Sequence, residues 1–125
     1  MKAVATVPIQ TVNALNTREH WAARHRRNVK ESKMIALACR APPLAEILAA
    51  YRSVPPGPVV VELVRIGKRR MDDDGAIASL KAVRDALAAA LGVDDGSRLI
   101  RWQYAQELGP RYGVRITVDI GDGND

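Results

Sequence analysis

The chain of 125 residues has no phenylalanine and one cysteine, Cys39, and its aromatic residues are two tryptophans and three tyrosines. Without phenylalanine, a core has to be assembled from Val, Ile, Leu and Ala with a little help from Trp and Tyr. A single cysteine excludes a disulfide framework within the chain and argues against a cysteine-based zinc site. Cys39 therefore reads as a small buried hydrophobe. No apolar run is long enough to span a bilayer. The short apolar stretch after Lys2 stops at Pro8 and Gln10, unlike a signal peptide, so a cytoplasmic location is expected. No internal repeat is present.

The residues that are there make one compact domain of ordinary apolar content, 47%, with a formal net charge of +5. That excess favours a polyanionic partner. Residues 3–9 and 58–66 read as strands, the second nearly continuous in apolar residues and so expected to be central. Residues 98–107 and 112–120 read as two more strands, joined as a hairpin by the turn at Leu108 to Arg111. A basic helix is expected from Asn16 or Thr17, as N-cap, to about Cys39, and a short helix over 44–51 beyond Pro42 and Pro43. The connector 53–58 is rich in turn residues. Residues 76–92 form the clearest helix, with an apolar stripe at Ile77, Leu80, Val83, Leu87 and Leu91 and a stop at Gly92. The order β-α-(α)-β-α-β-β predicts an α+β single domain over 1–120, a mixed sheet with helices packed on it. Residues 121–125 are a polar tail expected to be disordered.

Chemistry is concentrated in Asp72, Asp73 and Asp74, directly after the apolar strand, and in Asp94 and Asp95 after the following helix. Three adjacent carboxylates repel one another, and a cation relieves that repulsion. Alternation at the strand end is expected to bring Asp72 and Asp74 to one side and to turn Asp73 away. Hard oxygen ligands of this kind suit Mg²⁺, or Mn²⁺ as a substitute. Such an ion polarises a phosphodiester and activates water for attack. The plainer reading is that the trio opens a helix, where carboxylates suit the macrodipole, and that Asp94-Asp95-Gly96 is a turn.

The segment RRMDDDGAIASLKAVRDALAAALGVDDGSRLI, residues 69–100, resembles the core of the RusA-like Holliday junction resolvases. Those endodeoxyribonucleases have basic residues, Asp-x-Asp-Asn, a helix carrying Lys and Asp-Ala-Leu, and then Asp-Asp before a strand. The resemblance implies a homodimeric Mg²⁺ enzyme acting on branched DNA. Its metal carboxylates would be Asp72, Asp74 and Asp95, with Asp94 as a fourth, and Lys81 would touch the scissile phosphate. Gly75 stands where the family has Asn, and Lys81 lies about one helical turn further from Asp74. Outside the family role, Lys81 pairs with Asp85 at i,i+4.

Geometry adds a constraint. A straight helix over 76–91 would hold its ends about 24 Å apart, and three residues beyond Gly92 reach back only about 10 Å. Ligand oxygens must lie within roughly 2.1 Å of Mg²⁺. Asp95 is therefore expected to complete a site on a second subunit, through an antiparallel helix pair about a two-fold axis. Candidate phosphate contacts are Arg24, Arg26, Arg27, Lys30 and Lys33 on the first helix and Lys68, Arg69 and Arg70 before the trio. Trp21 and Trp102 are expected in the core, and His20 and His25 are assigned no role. The alternatives are a non-catalytic DNA- or RNA-binding module on the same scaffold, and a regulatory protein partner.

Overall fold

A computed structural model describes residues 1–12, 20–53 and 57–121. The elements are β1 (Lys2–Val7), α1 (Trp21–Cys39), α2 (Leu44–Arg52), β2 (Val59–Gly67), α3 (Asp73–Ser79), α4 (Lys81–Leu91), β3 (Ile100–Leu108) and β4 (Gly113–Ile120). The fold is α+β, with one four-stranded mixed sheet in the order β1-β4-β2-β3. Asn16 and Thr17, the connector residues 54–56 and the tail residues 122–125 lie outside the described residues. The described N-cap of α1 is His20, whose Nδ1 accepts the Ala22 N–H at 3.2 Å.

β2 is central because its residues are apolar on both faces, whereas the outer strands alternate. It pairs in parallel with β3, Val61 opposite Trp102, and antiparallel with β4, Val61 opposite Val118. The register places Val59, Val61 and Leu63, together with Ile100, Val114, Ile116, Val118, Ala3 and Val7, on the face beneath the helices. Ile35, Leu44, Ile47, Leu48, Leu80, Val83, Leu87 and Leu91 close the same core from the helical layer. The opposite face carries Thr6, Gln103 and Glu107 and is open to solvent. Among the described residues no single helix is long and apolar enough to cross a membrane.

The expected hairpin between the last two strands does not form, since β2 lies between β3 and β4. The Gly109 N–H donates to the Gly67 carbonyl at 3.0 Å, so the link crosses the end of β2. Two strand spacings are about 10 Å, which four residues span as easily as one spacing. Link length could not tell the two arrangements apart.

The single helix expected over 76–91 is two helices broken at Leu80 (φ −98°, ψ 5°). The Ser79 hydroxyl donates to the Ala76 carbonyl at 2.7 Å, and the Leu80 N–H turns instead to Ile77 at 3.1 Å. A serine competing for a helical acceptor is a known cause of bending. Leu80, Val83, Leu87 and Leu91 keep their buried stripe, but Ile77, on the far side of the break, is 42% exposed. The helix ends at Gly92 in the left-handed region (φ 78°), where its N–H caps Ala88 and Ala89. Gly92→Ala is expected to lower stability by about 1 kcal/mol, read as a fall in the urea midpoint at unchanged slope.

Candidate functional site

The loop that leaves β2 carries Lys68, Arg69 and Arg70, all exposed, and it is held from beneath by two side chains of the sheet. Arg65 continues the buried row Val59, Val61, Leu63, and only 5% of it is exposed. A guanidinium in that position needs partners to offset its desolvation. Its Nη1 donates to the Arg69 carbonyl at 2.7 Å and, more weakly, to Gln106 Oε1 at 3.5 Å. Gln106, opposite Arg65 across the β2–β3 ladder, then treats Met71 as a neighbouring strand would. Its Oε1 accepts the Met71 N–H at 2.9 Å and its Nε2 donates to the Met71 carbonyl at 2.8 Å. Lys68 Nζ sits 5.6 Å from the centroid of the Tyr112 ring.

The aspartate trio begins a helix and does not prolong the strand. Asp72 is the N-cap of α3 in extended conformation, and Asp73 and Asp74 lie in its first turn. Strand alternation therefore does not bring Asp72 and Asp74 together, because β2 has ended at Gly67 and a loop intervenes. Asp73 pairs with Arg70 at 3.6 Å, both well exposed, a contact of small energetic weight. All three carboxylates lie at the surface.

At the other end of α4 the loop doubles back further than a straight helix and a short tether suggest. Asp95 reaches Arg84, two turns before the helix ends, helped by the length of the arginine side chain. Arg84 Nη2 donates to the Asp95 carbonyl at 3.0 Å, Nε lies 3.7 Å from its carboxylate, and Nη1 donates to the Tyr104 hydroxyl at 2.8 Å. The same guanidinium lies over the Trp102 ring, 5.0 Å from its centroid, while Trp102 Nε1 donates to the Asp95 carbonyl at 3.1 Å. Asp94 takes the turn role: its Oδ1 accepts the Gly96 N–H at 2.9 Å. That bond holds Asp94 below the usual carboxylate value. Lys81 makes the i,i+4 pair with Asp85, 3.2 Å apart.

Ile77, Ala78, Lys81, Arg84, Asp95 and Tyr104 line a cavity of about 300 Å³. Ile77 and Tyr104 also line the next cavity, about 500 Å³, which extends past Gln106 to Arg70 and Asp73. One groove thus runs between α3 and β3 from Asp95 to the first turn of α3. On the far side of Lys81 a third cavity, about 310 Å³, is lined by Arg24, Arg27, Glu31 and Ser79. No family model matches the chain, and a search of curated proteins finds no match. Lys81 and Asp95 are brought to one cavity. Asp72, Asp74 and Asp94 do not join them: among the described residues no three Asp, Glu, His or Cys side chains are placed to hold one metal ion.

The basic run on α1 is divided by helix geometry. Arg24 and Arg27 face the Lys81 cavity, whereas Arg26, Lys30 and Lys33 face away from the body of the protein with His25. Trp21, expected in the core, is instead 75% exposed and lies outside the core cluster, its ring centroid 5.5 Å from that of His20. Trp102 is packed against the core as expected. Cys39 is half-buried; burial raises its pKa above the ordinary thiol value and Arg52 partly opposes this.

Composition and motif did not point to Arg65, Gln106, Arg84, Tyr104 or buried Glu31. A period-two reading of β2 would have marked Arg65 as a charge on the core face, but nothing local marks Arg84 as the anchor of Asp95. Arg84→Met is expected to lower stability by about 1 kcal/mol, since the part-buried Tyr104 hydroxyl and Asp95 carbonyl lose their charged donor, the carbonyl keeping only the Trp102 N–H. A lower urea midpoint and a shifted tryptophan emission would report it, and an unchanged midpoint would contradict the anchoring role.

Proposed function

We propose that this chain is a Mg²⁺-dependent, structure-specific DNA endonuclease that resolves four-way junctions by paired phosphodiester hydrolysis, in line with its resemblance to the RusA-like resolvases. The observation that carries the reading is Lys81 standing between two cavities, one holding Asp95 and the other lined by Arg24 and Arg27. Three stretches of chain remote in sequence thus offer a carboxylate and cations to one surface. A bound phosphodiester there would meet Lys81 and Arg24 on one side, with Arg70 at the far end of the groove. Cations spread in this way supply affinity without sequence preference.

One chain does not gather enough oxygen donors for a metal ion. The reading therefore rests on a homodimer, in which Asp72 and Asp74 of one copy face Asp95, and Asp94, of the other. Two such centres related by a two-fold axis suit symmetric cuts in a four-way junction. A cytoplasmic location accompanies this reading.

The second reading is a non-catalytic DNA- or RNA-binding module. Asp73 and Lys81 already engaged in ion pairs, and carboxylates that do not converge, favour it. A labelled synthetic four-way junction, incubated with and without Mg²⁺, separates the two. Metal-dependent paired nicks support the nuclease; salt-sensitive binding without cleavage supports the module; neither result leaves a protein-binding role.

A further inference from the structure

The outward side of α1 sets basic and exposed apolar side chains next to one another. Arg26, Lys30 and Lys33 recur at spacings of four and three, so they share one side of the helix with Val29 and Leu37. Val29 is exposed, Leu37 is 66% exposed, and between them His25, Arg26, Lys30, Lys33 and Met34 line a shallow depression of about 510 Å³. No carboxylate lines it, and among the described residues no ion pair or hydrogen bond engages the side chains of Arg26, Lys30 or Lys33. Meanwhile the opposite side of the helix, with Ile35, is firmly seated in the core. The helix is therefore anchored, and its outer face is left with apolar groups ringed by positive charge.

We propose that this face is a docking surface for an acidic amphipathic helix of a partner protein, whose apolar side chains enter the depression while its carboxylates meet Arg26, Lys30 and Lys33. Charge and shape choose the occupant. A second copy of this face is excluded as partner by like charge, because an isologous contact would set cation against cation. Phosphate backbone would satisfy the cations but leave the exposed Val29 and Leu37 side chains in water. A bilayer demands a broad apolar plane sunk several ångströms into lipid, whereas here only Val29 and Leu37 are exposed apolar groups, and cations stand between them. Helix-in-groove recognition uses this combination of spaced apolar anchors and flanking charges.

The test uses the full chain and a fluorescein-labelled synthetic peptide of about four helical turns, with Leu at i, i+4 and i+7 and Glu on the flanking positions. A scrambled peptide of the same composition controls for charge alone. Anisotropy is expected to show the amphipathic peptide binding at least about tenfold more tightly than the scrambled one. Leu37→Asp and, separately, Lys30→Glu/Lys33→Glu are each expected to weaken it about tenfold or more. All three positions are exposed, and circular dichroism confirms that the variants fold. Equal binding of both peptides, or indifference to Leu37→Asp, overturns the proposal. So does either of two other patterns: Lys30→Glu/Lys33→Glu weakening four-way junction DNA but not the peptide, or Leu37→Asp abolishing attachment to phosphatidylglycerol vesicles while peptide binding is unaffected.

Discussion

Asp72→Asn and Asp74→Asn are each expected to reduce Mg²⁺-dependent junction cleavage by a factor of about 100 or more, while folding and DNA binding persist. A neutral amide keeps the size of the side chain but is a far poorer ligand for a hard divalent cation, and the loss of metal-assisted catalysis is worth several kcal/mol of barrier. Both residues are exposed at the start of α3, so the core is not disturbed. Junction binding should even strengthen slightly, as one negative charge is removed beside Lys68, Arg69 and Arg70. The shared-site arrangement makes a sharper demand: inactive Asp72→Asn and inactive Asp95→Asn chains, mixed and allowed to exchange subunits, should recover part of the activity. If each centre took all its ligands from one chain, a mixture would stay inactive. Asn substitutions that leave cleavage intact would show that these carboxylates do not hold the catalytic metal, and absence of cleavage by the unmodified chain would end the nuclease reading.

A second large effect is expected at Gly67, the last residue of β2. A Cβ placed there would lie 2.6 Å from Arg65 Nη2 and 2.8 Å from its Cζ. An exposed arginine would move aside at little cost, but this one is buried and bound to the Arg69 carbonyl. Gly67→Ala is therefore expected to expel the guanidinium, at about 1–3 kcal/mol of stability, and to loosen the loop that leads to Asp72. Differential scanning calorimetry or urea unfolding measures the first effect. The coupling is distinctive, because Arg65→Ala removes the group that collides. The double variant should be no less stable than Arg65→Ala alone to within about 0.5 kcal/mol. Simple additivity of the two losses would show that the cost of Gly67→Ala does not come from its collision with Arg65. Under the nuclease reading, Gly67→Ala also lowers cleavage without touching any candidate ligand.

These two experiments probe parts of the molecule that were unequally legible. The acidic trio stands out in sequence by composition alone, and its place after the β2 strand was readable to within a few residues. Its local conformation was not, because carboxylates suit both a metal site at a strand end and the first turn of a helix. Asp94 shows the same ambiguity, and the structure resolves it as a turn residue bonded to Gly96. The Gly67–Arg65 contact had only a faint signal: an arginine in phase with Val61 and Leu63 on an otherwise apolar strand. Its partners, the Arg69 carbonyl and Gln106, come from a loop and another strand.

Residue periodicity by itself located the strands and helices to within a few residues and marked the domain as α+β. Those properties depend on how often an apolar side chain recurs along one segment, which any stretch of chain carries locally. Tertiary structure alone decided that β2 separates β3 from β4, that Ser79 breaks the helix at Leu80, and that Arg84 draws Asp95 back along α4. It also decided that the basic run of α1 divides between the Lys81 cavity and an outward face with Val29 and Leu37. Each of these outcomes turns on which distant groups compete for the same strand edge, carbonyl or carboxylate, a competition settled only when the whole chain is packed.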